Sequence, residues 1–344
     1  MVSSQVQKVR MNLLRGKNLS LLIFAIFSFL VPIIFPIFLN DFWVKLYSEI
    51  LIWSLLAASV NILFGYLGLL SFGQALYFGF GMYGVAIGIS KFGLGLWGSF
   101  FFGICLSVII ALIAGSLAVR LTWHYFAIIT VVFSLIFYFV ALSWKPITGG
   151  DDGLPFSPPD IFNFFDMQLS LTNPTAQYYF IIFFVIFCYF LILLLLNSPL
   201  GRAFIAVKEN NLKSELIGIN TYKIKLLGFV FSGFIAGVAG CLFAFYGRYA
   251  SASYMFYHVS GEAVVWAIIG GIGSFLGPVV GTGLLIFIRE ELSNFWDHYL
   301  LLVGLTVIII VIFAPTGLSG IYESLVKKIK KSTANIWQFD LSCR

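Results

Sequence analysis

Residues 197–225 read NSPLGRAFIAVKENNLKSELIGINTYKIK, the longest polar interruption in the C-terminal half of this chain, with long apolar runs on both sides. The stretch carries Arg202, Lys208, Lys213, Lys223 and Lys225 against Glu209 and Glu215, so it is net basic. Basic loops between membrane spans stay on the cytoplasmic side. Ser198 is placed to N-cap a helix that opens on Pro199, where a missing N–H costs nothing. The turn Glu209-Asn210-Asn211 interrupts that helix, and Asn211 is placed to cap a second one running through Ile217. Ile205, Leu212 and Leu216 would share a face only in one continuous helix, so two short helices are the better reading. A compact, capped, cytoplasmic helical loop is a surface for another protein to press on.

Working outward, the whole chain of 344 residues is 60% hydrophobic and only 10% charged, with a mean hydropathy of +1.01. A soluble domain carries about 25% charged residues. The chain is therefore an integral membrane protein with several spans. Its apolar runs do not alternate, so they are helical spans and not strands of a β-barrel. The net charge of +6 sits in loops and tails, where membrane orientation explains it and nucleic-acid binding does not. Cys105, Cys188 and Cys241 lie inside apolar runs and Cys343 in the tail; no CxxC occurs, and buried thiols are the expected state.

The N-terminal residues 1–18 include Lys8, Arg10, Arg15 and Lys17, which place this tail in the cytoplasm. The apolar run Leu19–Leu39 is longer than the ~7–15 residues of a signal-peptide core and no A-x-A site follows, so it is expected to be a retained span. Further spans follow at Leu46–Gly65, Leu67–Ser90, Leu96–Val119, Trp123–Trp144, Gln177–Leu196, Leu226–Tyr246 and Tyr299–Phe313. Residues 145–176 hold Asp151, Asp152, Asp160 and Asp166 with one basic residue, which fits an outer loop. The tail at 321–344 carries Lys327, Lys328, Lys330 and Lys331 and belongs inside. An odd number of crossings would put that tail outside, so one glycine-rich region must fail to cross or must cross twice. Val259–Ile288, interrupted by Gly270, Gly271, Gly273, Gly277 and Pro278, is long enough to fold as a re-entrant pair of half-helices. The expected fold is an all-α, polytopic helical membrane protein, one permease domain over residues 19–320. It has about eight full crossings plus a broken or re-entrant segment, with about ten as the alternative.

The two halves echo each other. Gly65-Tyr66-Leu67-Gly68-Leu69-Leu70-Ser71-Phe72-Gly73, followed by Gln74, has a counterpart in Gly270-Gly271-Ile272-Gly273-Ser274-Phe275-Leu276-Gly277-Pro278. Paired glycine-interrupted segments are the best sequence pointer to a transport pathway. Isolated glycines such as Gly103, Gly115 and Gly237 are better read as sites of close helix packing. The chain has no GxxxxGK[ST], no HExxH and no EF-hand. Ion-coupled carriers keep charges inside their spans, where each costs about 2.5–3.5 kcal/mol. Here Glu49, His124, His258, Glu262 and Arg289 all fall near predicted span ends, as interfacial residues do. The chain thus shows no energy coupling of its own but does show a structured cytoplasmic loop, as expected of a permease driven by separate ATP-binding subunits.

From about Leu46 to Ser319 the chain resembles the branched-chain amino-acid ABC importer permeases, in particular the longer of their two permease types. Four stretches in order carry the resemblance: Asn61–Tyr83, NILFGYLGLLSFGQALYFGFGMY; Thr148–Leu154, TGGDDGL; Gly201–Asn220, GRAFIAVKENNLKSELIGIN; and Gly270–Gly281, GGIGSFLGPVVG, with Pro315-Thr316-Gly317-Leu318 behind it. Gln74 stands where the family usually has His, which keeps hydrogen bonding but removes any titrating role. The alanine pair common in ABC coupling loops is not evident; Lys213-Ser214 occupies its neighbourhood.

The resemblance implies a subunit of a bacterial inner-membrane importer with both termini cytoplasmic. Its partners would be a second permease subunit, two ATP-binding subunits and an external substrate-binding protein, in a setting of membrane lipids. ATP and Mg would be bound by the partner ATPases, with no cofactor or metal on this chain. The implied ATPase-coupling residues are Gly201, Arg202, Ala203, Lys208, Glu209, Glu215 and Gly218. Those of the pathway are Gly65, Gly68, Ser71, Gly73, Gln74, Gly270, Gly271, Gly273, Ser274, Gly277 and Pro278. In the outer loop, Gly149, Gly150, Asp151, Asp152 and Gly153 either meet the binding protein or form a capped turn. The implied substrate is leucine, isoleucine or valine, although related permeases serve urea, amides and other small solutes. The competing class is an ATP-independent channel or facilitator for a small neutral solute, which would need no docking loop.

Overall fold

A computed structural model describes residues 20–28, 30, 41–121, 123–159, 162–164, 167–169, 171, 174–294, 298–313 and 317–320. The two tails, Asp160, Asp166, Pro315 and Thr316 lie outside the described residues. The chain is almost entirely helical. Helix α1 covers residues 20–28. It is followed by α2 (Asp41–Asn61), which runs into a π-turn (Ile62–Leu67), then α3 (Gln74–Ser90), α4 (Leu96–Ala118), α5 (Trp123–Ser143) and the short α6 (Lys145–Thr148). After the loop come α7 (Pro174–Asn197), α8 (Pro199–Glu209), α9 (Asn211–Leu216), α10 (Thr221–Gly247), α11 (Tyr257–Gly270), α12 (Gly277–Ser293) and α13 (Tyr299–Phe313). The strands are vestigial: β1 (Leu154–Pro155) pairs antiparallel with β4 (Tyr249–Ala250), and β2 (Phe162–Phe164) with β3 (Met167–Leu169).

Among the described residues six helices are long and apolar enough to cross a membrane: Phe42–Leu67, Leu96–Ala118, His124–Ser143, Pro174–Asn197, Thr221–Gly247 and Tyr299–Gly320. Helix α3 has 17 residues, because the run expected to begin at Leu67 spends residues 68–73 as non-helical backbone. Helix α7 starts at Pro174, three residues earlier than expected, since proline suits the first turn of a helix. The Val259–Ile288 region is broken as the glycines require, into α11 and α12. Glu49 is eight residues inside α2 and not at its end; it accepts from Trp53 Nε1 (3.2 Å) and pairs with Arg289 of α12 (3.3 Å).

From Ile50 to Asn61 helix α2 carries no charged residue and is wholly buried, as the core of a bundle must be. Helices α3, α4, α7, α10, α11 and α12 surround it or pack on its neighbours, while α13 has no buried residue. Lipid gives no hydrophobic drive for helix association, so close packing of small residues has to supply it. The closest seam joins α3, α4 and α10. There a Cβ on Gly103 would stand 2.6 Å from the Gly81 carbonyl oxygen and 2.8 Å from Cys241 Sγ. One on Gly115 would stand 2.6 Å from Phe229 Cδ1, and one on Gly237 would collide with Ser107. These isolated glycines are packing positions. Trp53 stacks on Phe78 at 5.1 Å and meets Trp266 edge-on at 5.5 Å, joining α2 to α3 and α11.

Candidate functional site

The two glycine clusters, about two hundred residues apart in the chain, meet in space. Helix α2 ends in a π-turn, a form that recurs at functional positions, and closes on Gly68 with φ +74°. Helix α11 ends on Gly270 and is capped by Gly271, with Gly273 at φ +78° before α12 begins. A β-carbon on Gly65 would lie 2.7 Å from Gly273 N and 3.0 Å from its Cα, so the two backbones touch. Asn61, one turn before Gly65, fastens the contact. Its Oδ1 accepts from Gly273 N–H (2.8 Å) and its Nδ2 donates to the Ser274 carbonyl (2.8 Å). Non-helical backbone lacks the hydrogen bonds of a helix, and the Asn61 amide supplies two of them here.

From the break, α12 returns antiparallel to α2: Gly283 lies beside Ile50, Phe287 beside Trp43 and Arg289 beside Glu49. Helices α11 and α12 therefore form a hairpin. A Cβ on Gly281 would run into Gly270, with 2.6 Å to its nitrogen, and into the Trp266 carbonyl. Gly277, with Pro278 in the first turn of α12, closes against Gly270.

Next to this junction lies a buried polar cluster at the start of α3. Gln74 is fully buried, and its Oε1 accepts from Ser59 Oγ (3.3 Å). Ser232 Oγ donates to the Ser59 carbonyl (2.6 Å), and Ala75 N–H donates to Ser260 Oγ (2.8 Å). Ser71 Oγ accepts from Gly73 N–H (3.2 Å), and Thr130 Oγ1 from Phe72 N–H (3.2 Å). Three separate helices, α2, α5 and α11, thus hold the non-helical turn and first residues of α3, and α10 braces α2 at Ser59. The cluster contains no ionisable side chain, so it offers hydrogen bonds and no fixed charge. Among the described residues no group of three or more His, Cys, Asp or Glu is placed to hold a metal.

The basic loop at residues 197–225 forms two short helices, α8 and α9. Ser198 Oγ caps α8 by accepting from Gly201 N–H (3.4 Å), with Pro199 in the first turn. The second cap is Asn210 and not Asn211: its extended backbone lets Oδ1 accept from Lys213 N–H (2.9 Å), which makes Asn211 the first helical residue. Gly201, Phe204 and Val207 are buried against the bundle, Gly201 so closely that a Cβ would meet the Leu195 carbonyl at 2.7 Å. Arg202 and Glu209 are exposed, Ala203 is half-buried, and Gly218 turns the chain at φ +88°. Two of the expected coupling residues, exposed like Arg202 and Glu209, also bond to the bundle. Glu215 accepts from Thr221 Oγ1 (2.6 Å), and Lys208 Nζ donates to the Gly65 carbonyl (2.6 Å). Leu212, Leu216 and Ile217 are 74%, 86% and 74% exposed, and Ile205 is 45% exposed. A cleft of about 670 Å³ opens at this end, lined among others by Gly68, Arg120, Lys208, Glu215 and Lys225.

At the opposite end Gly149, Gly150 and Gly153 all have positive φ, and they make a tight turn in which Gly149 N–H donates to the Lys145 carbonyl (3.0 Å). Thr148 Oγ1 accepts from Gly150 N–H (3.3 Å). The turn sets β1 against β4, while Asp151 and Asp152 are exposed on it. Burial pushes the Tyr254 phenol of the adjoining turn up, and its hydrogen bond with Tyr249 (2.7 Å) adds to the shift.

Asn61, Ser59, Ser232, Ser260 and Thr130 were not singled out in the sequence. The signal was present for Asn61, an amide inside an otherwise apolar run, where an unpaired polar group is costly. For the serines and Thr130 there was none, because single hydroxyls in a span usually bond their own helix.

A bundle of apolar helices with a broken hairpin at its centre and a structured polar loop at one end defines a polytopic membrane permease. The chain belongs to the family described as branched-chain amino acid transport system / permease component, whose family model matches residues 43–312. It is 26% identical to the high-affinity branched-chain amino acid transport system permease protein LivM of Salmonella typhimurium over 322 residues, 88% of this chain and 76% of that protein. LivM of Escherichia coli K12 is similar over the same shares, also at 26% identity. The permease protein LivH of Escherichia coli K12 is 36% identical over 127 residues, 36% of this chain and 40% of LivH. No solved structure is significantly similar to this chain.

Proposed function

We propose that this chain is one permease subunit of an ABC importer for branched-chain amino acids, working with a second permease subunit, two ATPase subunits and an external binding protein. One observation carries the reading: the apolar side chains of Leu212, Leu216 and Ile217, exposed on a capped, basic, two-helix loop that is itself anchored by buried Phe204 and Val207. Such a rigid element with an apolar outer face suits docking to another protein and carrying its motion. The basic loop and tail favour the cytoplasm for this end and for both termini. The expected span Leu19–Leu39, described only at residues 20–28 and 30, together with α2 to α5, α7, α10 and α13 would then cross the membrane, with α11–α12 a re-entrant hairpin. The external binding protein would do most of the selecting, which fits a pathway of glycine, serine and glutamine without charge. The family and its LivM and LivH relatives support leucine, isoleucine and valine as the substrate class.

The test is to replace Leu216 by Asp and purify the chain from its native membrane. The variant should insert normally, lose its ATPase partners and lose ATP-driven leucine uptake. A chain that purifies alone in its native form and passes solute in ATP-free liposomes would instead be a facilitator.

A further inference from the structure

We infer that Lys208 and Asn61 are positioning residues that carry movement of α8 into the break between α11 and α12. The inference rests on the ABC reading of the α8–α9 loop and names how that loop reaches the pathway. The last carbonyls of a helix lack intrahelical donors, and a cation beside them is favoured by the helix dipole. Lys208 meets that need at the end of α2: its stem crosses Gly68, where a Cβ would stand 3.0 Å from Lys208 Cγ, and its ammonium donates to the Gly65 carbonyl at 2.6 Å. Gly65 has no side chain, so the residue that Lys208 holds is in backbone contact with Gly273. Asn61 closes the chain of contacts by holding Gly273 N–H and the Ser274 carbonyl, both at 2.8 Å.

The connection from α8 to the break therefore runs through one lysine, one helix end and one amide. Helix α8 is anchored by buried Phe204 and Val207, so it moves as a body and takes Lys208 with it. The break is the natural hinge of the hairpin, since positive φ at Gly271 and Gly273 lets two short helices change their mutual angle. Coupling between distant sites needs a contiguous network ending on an element with more than one arrangement, and the sequence of contacts Lys208, Gly65, Gly273 and Asn61 supplies one.

The experiment uses the full complex with its ATPase subunits and binding protein, reconstituted in liposomes, and reads radiolabelled leucine imported per ATP hydrolysed. Lys208→Met keeps the stem and removes the ammonium; Lys208→Arg restores a donor; Asn61→Ser shortens the amide that holds the hairpin. The Lys208→Met complex should keep its ATPase subunits while import per ATP falls on the order of ten-fold, with Lys208→Arg recovering most of it and Asn61→Ser falling with Lys208→Met. An unchanged ratio in Lys208→Met, or no recovery by Lys208→Arg, overturns the inference. So does loss of the ATPase subunits from Lys208→Met, which would make Lys208 a docking contact. If Asn61→Ser fails to insert, the two Lys208 variants decide the question. A native complex without ATPase subunits would overturn the ABC reading itself, a separate and distinguishable result.

Discussion

Replacing Gly65 by Ala adds one methyl group where the two halves of the chain meet. The new carbon would stand 2.7 Å from Gly273 N and 3.0 Å from Gly273 Cα, against about 3.5–4.0 Å for an ordinary carbon contact. The carbon would also collide with Asn61 Oδ1, and although that side chain could turn aside, the Gly273 backbone could not. Either α2 backs away from the break or the break moves and stretches the Asn61 bond to Gly273 N–H. Overpacking of this kind costs about 1–3 kcal/mol. Gly261 in α11 is the matched control, since a Cβ there meets nothing within 4 Å. Alanine gains about 1 kcal/mol over glycine within a helix, so Gly261→Ala should be neutral to stabilising. The two variants should then differ by about 1–4 kcal/mol, a factor of about five to nearly a thousand in the folding equilibrium. Tryptophan fluorescence during unfolding in mixed detergent micelles measures the difference. Gly65→Ala should also lose transport. A Gly65→Ala protein as stable as Gly261→Ala would refute the claim that these backbones touch.

Other substitutions test other contacts. Ser134 Oγ donates to the Met255 carbonyl (2.5 Å) in a buried position between α5 and the turn before α11; Ser134→Ala should cost about 1–3 kcal/mol in the same assay, because the carbonyl is left without its donor. Gly153→Ala combines a φ of +70° with a Cβ in contact with the Ala250 carbonyl, and should destabilise by about 1–3 kcal/mol, with β1 pulling away from β4 in hydrogen exchange. The Arg289–Glu49 pair is partly exposed, 36% and 24%, so Arg289→Gln should change stability by no more than about 1 kcal/mol, and by less at high salt.

Membrane class and helical fold were legible in the sequence because they follow from composition and run length, which need no tertiary information. The caps of the 197–225 loop were legible within one residue, since Ser-Pro and Asn-Asn act on their own neighbouring N–H groups. The break in Val259–Ile288 was legible from its glycines, because positive φ is a local demand of the backbone. What those glycines do was not. Gly65 and Gly273 are fitted to each other, and nothing local to either segment reveals the other. Lys208 read as one more cation of a docking loop until the structure turned it onto the Gly65 carbonyl, and Asn61 was not singled out at all, although the structure gives it two partners in the distant break. Local chemistry decided which segments are helical and where they break. The meeting of two breaks, and the lysine and amide that join them, depended on distant segments packed together, which only the tertiary structure supplies.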